Sequence, residues 1–291
     1  MRKLFLLSIV MLAGLVLSAQ IETKNFNVSG FTGIDAGGVF NIELTKSDRP
    51  NVVIETDAEI MKYIEVSVSR DILNLNLNSN NLSKALRRDM PKILVKIGMS
   101  ELKYLDLSGA SKLTCLSSFS TSDFKAEVSG ASKVNDLKID CRTFSLNVSG
   151  AVNMTLGGSV SGVAKYELSG ASNLDIRQDA GDLTMRGSGA SKIKYNGSVN
   201  NSVDVTFSGA SSVTMTGKGA SRMSVGISGA SKLDALNFPV RDMKVELTGV
   251  SKADVNVSGT LNTDISNSSK LNYKGDAKLT HSTPPSIKKI D

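Results

Sequence analysis

Lysines that recur at a fixed distance from a repeated Ser-Gly-Ala motif are the first candidates for chemistry. They stand three residues past the glycine of the motif, and a column of them would attract anionic glycans or phosphates. These residues are Lys112, Lys133, Lys192, Lys232 and Lys252, with Lys270 following where Asn267 replaces the glycine. The alternative is that exposed lysines keep this surface soluble and resist pairing at sheet edges.

Aspartates recur five residues past the same glycine. They are Asp175, Asp234 and Asp254. If successive motifs stack, Asp175 would lie beside Lys194 as a favourable pair, whereas Asp234 would lie beside Asp254. Carboxylates that share a site raise one pKa or bind a cation, and pairs of this kind serve in enzymes that cleave polysaccharides. The alternative is a tolerated pair of solvated surface carboxylates.

Other catalytic and metal-binding chemistry has little support. His281 is the single histidine, which excludes a metal site built from several histidines and argues against a serine–histidine triad. The serines of the repeated motif lack a Gly-x-Ser-x-Gly context, and their repetition favours a structural corner over a nucleophile. No phosphate loop, dinucleotide motif or metal-ligand spacing occurs. We therefore expect no catalytic residue, no metal and no cofactor.

Cys115 and Cys141 are the two cysteines. They fall in neighbouring repeats but at different positions within the repeat, and a disulfide needs Cα atoms within about 7 Å. We expect two small buried thiols, and the pairing stays open at this point because an extra residue between the two repeats could bend the chain.

Composition restricts the class of protein. The chain has 291 residues, of which 40% are hydrophobic, with 34 Lys+Arg against 28 Asp+Glu and a formal net charge of +6. These values exclude a disordered tail, a collagen and a disulfide scaffold. There is no Trp, and neither clustered basic residues nor stacking aromatics indicate a nucleic-acid partner.

An internal repeat of about 20 residues predicts the fold. The glycines of the motif are Gly109, Gly130, Gly150, Gly170, Gly189, Gly209, Gly229 and Gly249. Two and four residues before each glycine, and four residues after it, the side chains are mostly apolar, while those between are mostly polar. This period of two indicates strands with one buried face, separated by a Ser-Gly-Ala corner and a second turn.

A stack of such repeats forms a β-helix. One repeat cannot be stable alone, because about four inward side chains contribute far less than the roughly 30 kcal/mol that ordering twenty residues costs. A propeller blade needs about 40 residues, and the leucine-rich repeat pattern is absent. We therefore predict an all-β parallel β-helix with coils of about 20 residues and capped ends, right-handed as parallel crossovers favour.

The sequence divides into four predicted segments. Residues 1–19 have the basic start, apolar centre and small residues of a secretory signal peptide, with cleavage after Ala19. Residues 20–104 hold strands at irregular spacing and are predicted to form irregular coils and a cap. Residues 105–272 are the regular repeats, and residues 273–291 are a C-terminal cap and tail. No apolar stretch long enough to span a membrane follows the signal peptide.

Several ordered motifs resemble a known family. They are Phe31-Thr32-Gly33-Ile34, Gly38-Val39-Phe40-Asn41-Ile42-Glu43-Leu44, Val53-Ile54-Glu55-Thr56-Asp57 and Leu105-Asp106-Leu107-Ser108-Gly109-Ala110-Ser111. Together they are similar to the "putative auto-transporter adhesin, head GIN" family, from about Asn25 to Tyr273. The resemblance implies a right-handed single-stranded β-helix outside the cytoplasm and an adhesive role, and it brings no catalytic residues. Auto-transport is not supported, because the polar tail could not form a translocating barrel.

These observations predict an exported, adhesin-like binding protein of the periplasm or cell surface that is not an enzyme. It would present an extended surface to a polysaccharide or a protein partner. The alternatives are a polysaccharide lyase or hydrolase that uses the aspartates, and an envelope structural protein without a soluble ligand. The sequence does not indicate the ligand or the oligomeric state.

Overall fold

The structure is a computed structural model that describes residues 21–266, 268–280 and 286–290. The predicted signal peptide, the predicted glycine substitute Asn267 and the single histidine His281 lie outside the described residues. Parallel coils of about 20 residues are stacked into a β-solenoid, which confirms the predicted β-helix. Neighbouring coils are joined by parallel strand pairing in which each residue faces its counterpart in the next repeat, as in the pairing of Leu146 with Tyr166.

Each strand of the regular coils pairs in parallel with the corresponding strand of a neighbouring coil. They are β8 (Tyr104–Gly109), β9 (Lys112–Cys115), β10 (Ser118–Ser120), β11 (Asp123–Val128), β12 (Lys133–Cys141), β13 (Thr143–Val148), β14 (Asn153–Leu168), β15 (Asn173–Gly187), β16 (Lys192–Ser198), β17 (Ser202–Phe207), β18 (Ser212–Ile227), β19 (Lys232–Leu247), β20 (Lys252–Val257), β21 (Thr260–Ile265) and β22 (Lys270–Lys274). The longest of these strands turn corners, so that one strand contributes to more than one side of the solenoid.

Each coil has three sides, where the sequence pattern predicted two strands and a turn. Face A is formed by the residues that lead into the Ser-Gly-Ala corner, and face B by those that follow it. Face C is the short third side, where β10 pairs with β12 and the middle of β12 pairs with β14. Its inward side chains are buried, among them Phe119, Ile139 and Val160. Because this side also has a column of buried apolar residues, the chain forms a strand here, where the sequence pattern predicted a turn.

The Ser-Gly-Ala corner is a ladder of backbone contacts. The glycine of each regular repeat has a positive φ, as at Gly170 with +91°. The alanine that follows donates its N–H to the glycine carbonyl of the preceding coil, as Ala171 does to Gly150 at 2.8 Å. The serine after the alanine points inward and is buried, and Ser251 Oγ donates to the Thr248 carbonyl at 2.7 Å. These serines therefore close the corner from inside.

The N-terminal third closes one end of the solenoid. Its elements are β1 (Ile21–Phe26), β2 (Gly33–Gly38), β3 (Phe40–Lys46), β4 (Asn51–Asp57), α1 (Ala58–Met61), β5 (Ile64–Ser69), β6 (Ile72–Leu77), a 3-10 helix (Ser79–Asn81), α2 (Lys84–Arg88) and β7 (Ile93–Met99). The strands β2 and β3 pair with β8 and β9 in parallel, which continues faces A and B. On their other side β2 and β3 pair with β6 and β7, also in parallel. Beyond these the pairing becomes antiparallel, between β5 and β6, β4 and β7, and β1 and β4.

The sequence pattern predicted irregular coils and a cap for residues 20–104, and this end combines a further parallel layer with antiparallel strands. Helix α1 follows directly on β4, and Asp57 caps it by accepting the N–H of Glu59 at 2.8 Å. Ile60 and Met61 of this helix are buried and cover the apolar interior. At the other end, β23 (Lys278–Thr280) pairs with β21 and β24 (Ile287–Lys289) pairs with β22.

A size exchange between two coils shows how tightly the interior is packed. Gly187 occupies an inward column position that Leu168 and Phe207 hold in the adjacent coils. A Cβ at Gly187 would lie 2.4 Å from Cε1 of the buried Phe207 ring. The missing side chain thus makes the space that the ring fills.

We expect Gly187→Val to destabilise the protein by about 1–3 kcal/mol, since an enlarged core residue forces buried neighbours out of position. Adding Phe207→Val should remove part of this cost, with a coupling of about 0.5–3 kcal/mol in urea unfolding. Strictly additive free energies in the double variant would contradict the proposed exchange.

Candidate functional site

A groove of about 940 Å³ runs along face A and crosses the coils from Asp35 to Thr248. One of its sides is a column of hydroxyl side chains, each immediately before the glycine of its corner. They are Ser108, Ser129, Ser149, Ser169, Ser188, Ser208, Ser228 and Thr248. Because strand residues alternate between the two sides of a sheet, the residue before the glycine faces out where its predecessor faces in. Coils about 4.8 Å apart make this a regular hydroxyl ladder.

The hydroxyl ladder is largely available to a ligand. Among the described residues, one hydroxyl of this ladder forms a hydrogen bond within the protein: Ser169 Oγ donates to the Val148 carbonyl at 3.4 Å. Hydroxyl groups that both donate and accept suit the hydroxyls of a sugar.

The other side of the groove is a column of mainly charged residues, three before the glycine. These are Asp35, Asp106, Glu127, Asn147, Glu167, Arg186, Thr206, Gly226 and Glu246. Its three glutamates each pair with the lysine two residues earlier on the same strand. The N···O distances are 2.6 Å for Lys125–Glu127, 2.7 Å for Lys165–Glu167 and 2.5 Å for Lys244–Glu246.

The N-terminal end of the groove is acidic. Asp35 lies opposite Asp106, and Asp106 lies opposite Glu127, on three adjacent strands. Burial raises the pKa of Asp35, and burial together with the charge of Asp35 raises the pKa of Asp106. Tyr104 donates its hydroxyl to Asp106 at 3.3 Å, and burial chiefly raises the pKa of this tyrosine to about 12. Across the described ranges, no three His, Cys, Asp or Glu side chains are placed to hold a metal ion.

Towards its C-terminal end the groove has an uncharged and open stretch. Thr206 and Gly226 occupy the charged column there, between Arg186 and Glu246. A Cβ at Gly226 would meet nothing nearer than the Thr206 side chain at 3.8 Å. A second hollow of about 510 Å³ continues on face A, lined in part by Thr184, Asp204 and Lys244.

The predicted lysine column lies on face B, around the corner from the groove. Lys112 faces Lys133 on the next coil, and Lys232, Lys252 and Lys270 face one another on three successive coils. Their side chains point to solvent, and Lys252 forms an ion pair with Asp254 at 3.0 Å.

The predicted aspartates share face B but do not converge. Asp234 lies opposite Asp254, as the repeat predicted, and Asp175 lies opposite Lys194. Asp254 is only 6% exposed and accepts a hydrogen bond from Asn272 Nδ2 at 2.6 Å. Asp175 is three coils from Asp234, and its ion pair is with Arg177 at 3.4 Å. The ion pair with Lys252 therefore offsets the charge of Asp254, whereas Asp175 lies apart from the other two predicted aspartates.

Sequence reasoning missed the groove, because it followed the columns after the corner. The serine one before the glycine and the acidic residue three before it repeat just as regularly, and that repetition was the available signal.

The two cysteines are free and buried. Cys115 Sγ lies 3.0 Å from the Ser117 carbonyl, to which it donates. Burial is the main cause that raises the pKa of Cys141 to about 11. Both thiols are therefore held in the unreactive protonated form at neutral pH.

Comparison with protein families decides the relationship of this chain. The family model described as putative auto-transporter adhesin, head GIN domain matches residues 30–219 and 167–277. The chain belongs to this family. The family points to an exported or surface protein that binds rather than catalyses. In the described part of the chain, no helix has the length and apolarity needed to cross a membrane.

Solved structures of similar fold come from Parabacteroides and Bacteroides species. A putative adhesin from Parabacteroides merdae is 18% identical, with 94% of this chain and 97% of that chain covered and a TM-score of 0.54. A putative adhesin from Bacteroides fragilis is 19% identical, with 94% and 98% covered and a TM-score of 0.51. A putative lipid binding protein from Parabacteroides distasonis is 17% identical, with 93% and 97% covered and a TM-score of 0.50. At these identities the likeness concerns the fold. No curated protein matches the chain.

Proposed function

We propose that this chain is an exported, adhesin-like protein that binds an uncharged, extended polysaccharide along the groove of face A. The observation that carries the proposal is the continuity of the groove, which crosses the coils from Asp35 to Thr248. A polymer of identical sugars suits a surface of identical coils, because both repeat along one axis. The family membership supports a binding role.

The lining of the groove favours sugars. Its serines offer one donor and two acceptor sites each, and its carboxylates accept hydrogen bonds from sugar hydroxyls. Three of the five acidic residues that line the groove are paired with lysines, and the remaining two, Asp35 and Asp106, make its N-terminal end unfavourable for an anionic polymer. A rigid β-solenoid also loses little conformational freedom when a ligand binds, which benefits affinity.

Two other ligand classes fit less well. A protein strand would need an unpaired sheet edge, whereas the strands under the groove are paired on both sides. An acyl chain, as the name of the P. distasonis neighbour suggests for that protein, would leave the hydroxyls and carboxylates of the groove without partners. Cleavage of a polysaccharide by the predicted aspartates fits less well, because Asp175 is three coils from Asp234. Asp254, which does lie opposite Asp234, is buried and held by Lys252 and Asn272.

The first test is a variant that fills the groove without disturbing the fold. Gly226→Trp places a ring over the uncharged stretch towards the C-terminal end of the groove, where a Cβ has free space. Ser212→Trp, on face B, is the matched control for surface aromaticity. We expect the unmodified chain to bind an array of uncharged plant and microbial oligosaccharides with affinity that rises with chain length. Gly226→Trp should lose at least about 1.4 kcal/mol, a tenfold weakening, and Ser212→Trp should bind like the unmodified chain.

Calorimetry on the best oligosaccharide would measure these affinities. Equal binding by Gly226→Trp and the unmodified chain would place the ligand elsewhere. An array on which no uncharged glycan binds would reject the proposal.

A further inference from the structure

Face B carries a line of positive charge that the groove does not use. Lysines of adjacent coils face each other in two groups, Lys112 with Lys133 and Lys232 with Lys252 and Lys270, and Lys192 lies between the groups. The remaining positions of the column are polar and uncharged, namely Asn153, Asn173 and Ser212, and strands of adjacent coils are about 4.8 Å apart. Lys112, Lys133, Lys192, Lys232 and Lys270 have no carboxylate within ion-pair distance in the part of the chain that the structure describes. Lys194 adds a further positive charge beside Lys192 on the same strand.

Stability does not explain this column. Like charges directly opposite each other on neighbouring strands repel, as Lys232 and Lys252 do. Lysines do protect exposed edge strands from pairing, but these lysines lie on interior strands. Lys133 is paired with Lys112 on one side and Asn153 on the other, and Lys252 with Lys232 and Lys270. A column that costs stability and protects no edge points to a partner.

The surroundings of the column restrict that partner. On the corner side the column is flanked by the exposed, short alanines of the repeated motif, which leave the ammonium groups accessible. On the other side it is flanked mainly by threonine, asparagine and aspartate. Aromatic platforms for nucleotide bases are absent from these two columns, and Val250, which replaces the alanine in one repeat, is their single exposed large apolar side chain, too little for an interfacial membrane contact.

We infer that face B docks a carboxylated polysaccharide whose anionic groups recur along the chain, as the lysines recur along the solenoid. The inference goes beyond the groove, since it assigns a second face with the opposite charge preference. One molecule then holds an uncharged glycan on face A and an anionic one on face B, and so joins two polymers.

The experiment uses two triple variants that remove the same charge from different faces. Lys133→Gln/Lys232→Gln/Lys270→Gln acts on face B and leaves Lys252 to pair with Asp254. Lys125→Gln/Lys165→Gln/Lys244→Gln acts on face A and is the matched control. The ligand probe is alginate, with dextran as the uncharged comparison and phosphatidylglycerol vesicles as the lipid comparison.

We expect the unmodified chain to bind alginate at low ionic strength and to release it as salt shortens the screening length. The face B variant should bind alginate at least about tenfold more weakly, since each lysine near an anionic surface adds to the attraction. The face A variant should change binding less than about twofold. Gly226→Trp should keep alginate binding. Failure of the proposed groove function can therefore be distinguished from failure of the inference about face B.

Three outcomes would overturn the inference. The first is that alginate does not bind. The second is an equal loss in both triple variants, which would mean that net charge alone acts. The third is stronger binding to the vesicles than to alginate. Thermal unfolding of both variants checks that each is folded.

Discussion

Gly170→Val is expected to destabilise the protein by more than about 4 kcal/mol or to prevent folding. Gly170 has φ of +91°, a region that costs a β-branched residue about 1–3 kcal/mol by itself. Its new Cβ would also lie 2.5 Å from the Gly150 carbonyl oxygen. That oxygen already accepts the Ala171 N–H, so the clash would push apart two coils at their corner.

Gly226→Val is the matched control for this prediction, because it introduces the same side chain into the same solenoid. Gly226 lies in a strand, and its new Cβ would meet only the Thr206 side chain at 3.8 Å. Urea unfolding should therefore give a free energy of unfolding for Gly226→Val within about 0.5 kcal/mol of the unmodified chain. If both variants melted at the temperature of the unmodified chain, the corner would not be the ladder described above.

Phe144→Ala should have the second largest effect, a loss of about 3–5 kcal/mol. Phe144 is buried between two aromatic rings of the adjacent coils. The ring centroids lie 5.2 Å from Phe124 and 5.4 Å from Tyr166. Truncation removes both ring contacts, worth about 0.5–1.5 kcal/mol each, and leaves a cavity that the rigid coils cannot close.

Phe144→Leu keeps most of the buried volume and should cost less than half as much in urea unfolding. Because each coil contacts only its neighbours, hydrogen exchange should locate the loosening in the coils that hold Phe124 and Tyr166. Protection lost evenly along the solenoid, or an alanine variant as stable as the leucine variant, would contradict this account.

The two faces proposed to bind ligands differ in charge although one repeat forms both. The corner separates the column three before the glycine, which is rich in acids, from the column three after it, which is rich in lysine. Within a coil, Asp106 and Lys112 are six residues apart in sequence but on different sides of the solenoid. We therefore expect substitutions on one face to leave the ligand of the other unaffected.

The architecture of the regular coils could be predicted from the sequence alone. The spacing of the Ser-Gly-Ala motifs and the period of two predicted stacked parallel strands, the inward columns and the neighbours Asp234 and Asp254. These features are local or repeat at a constant interval. Residues separated by that interval lie next to each other on adjacent coils.

The tertiary structure alone decided three features. The groove on face A lies between two outward columns of the same strands, and the repetition of these columns in the sequence does not show that the space between them is hollow. Face C was hidden because its inward residues, such as Phe119 and Val160, are too few per coil to show a period. The antiparallel N-terminal end was hidden because strand direction depends on long-range pairing, as between β4 and β7, and not on the alternation of side chains within a strand.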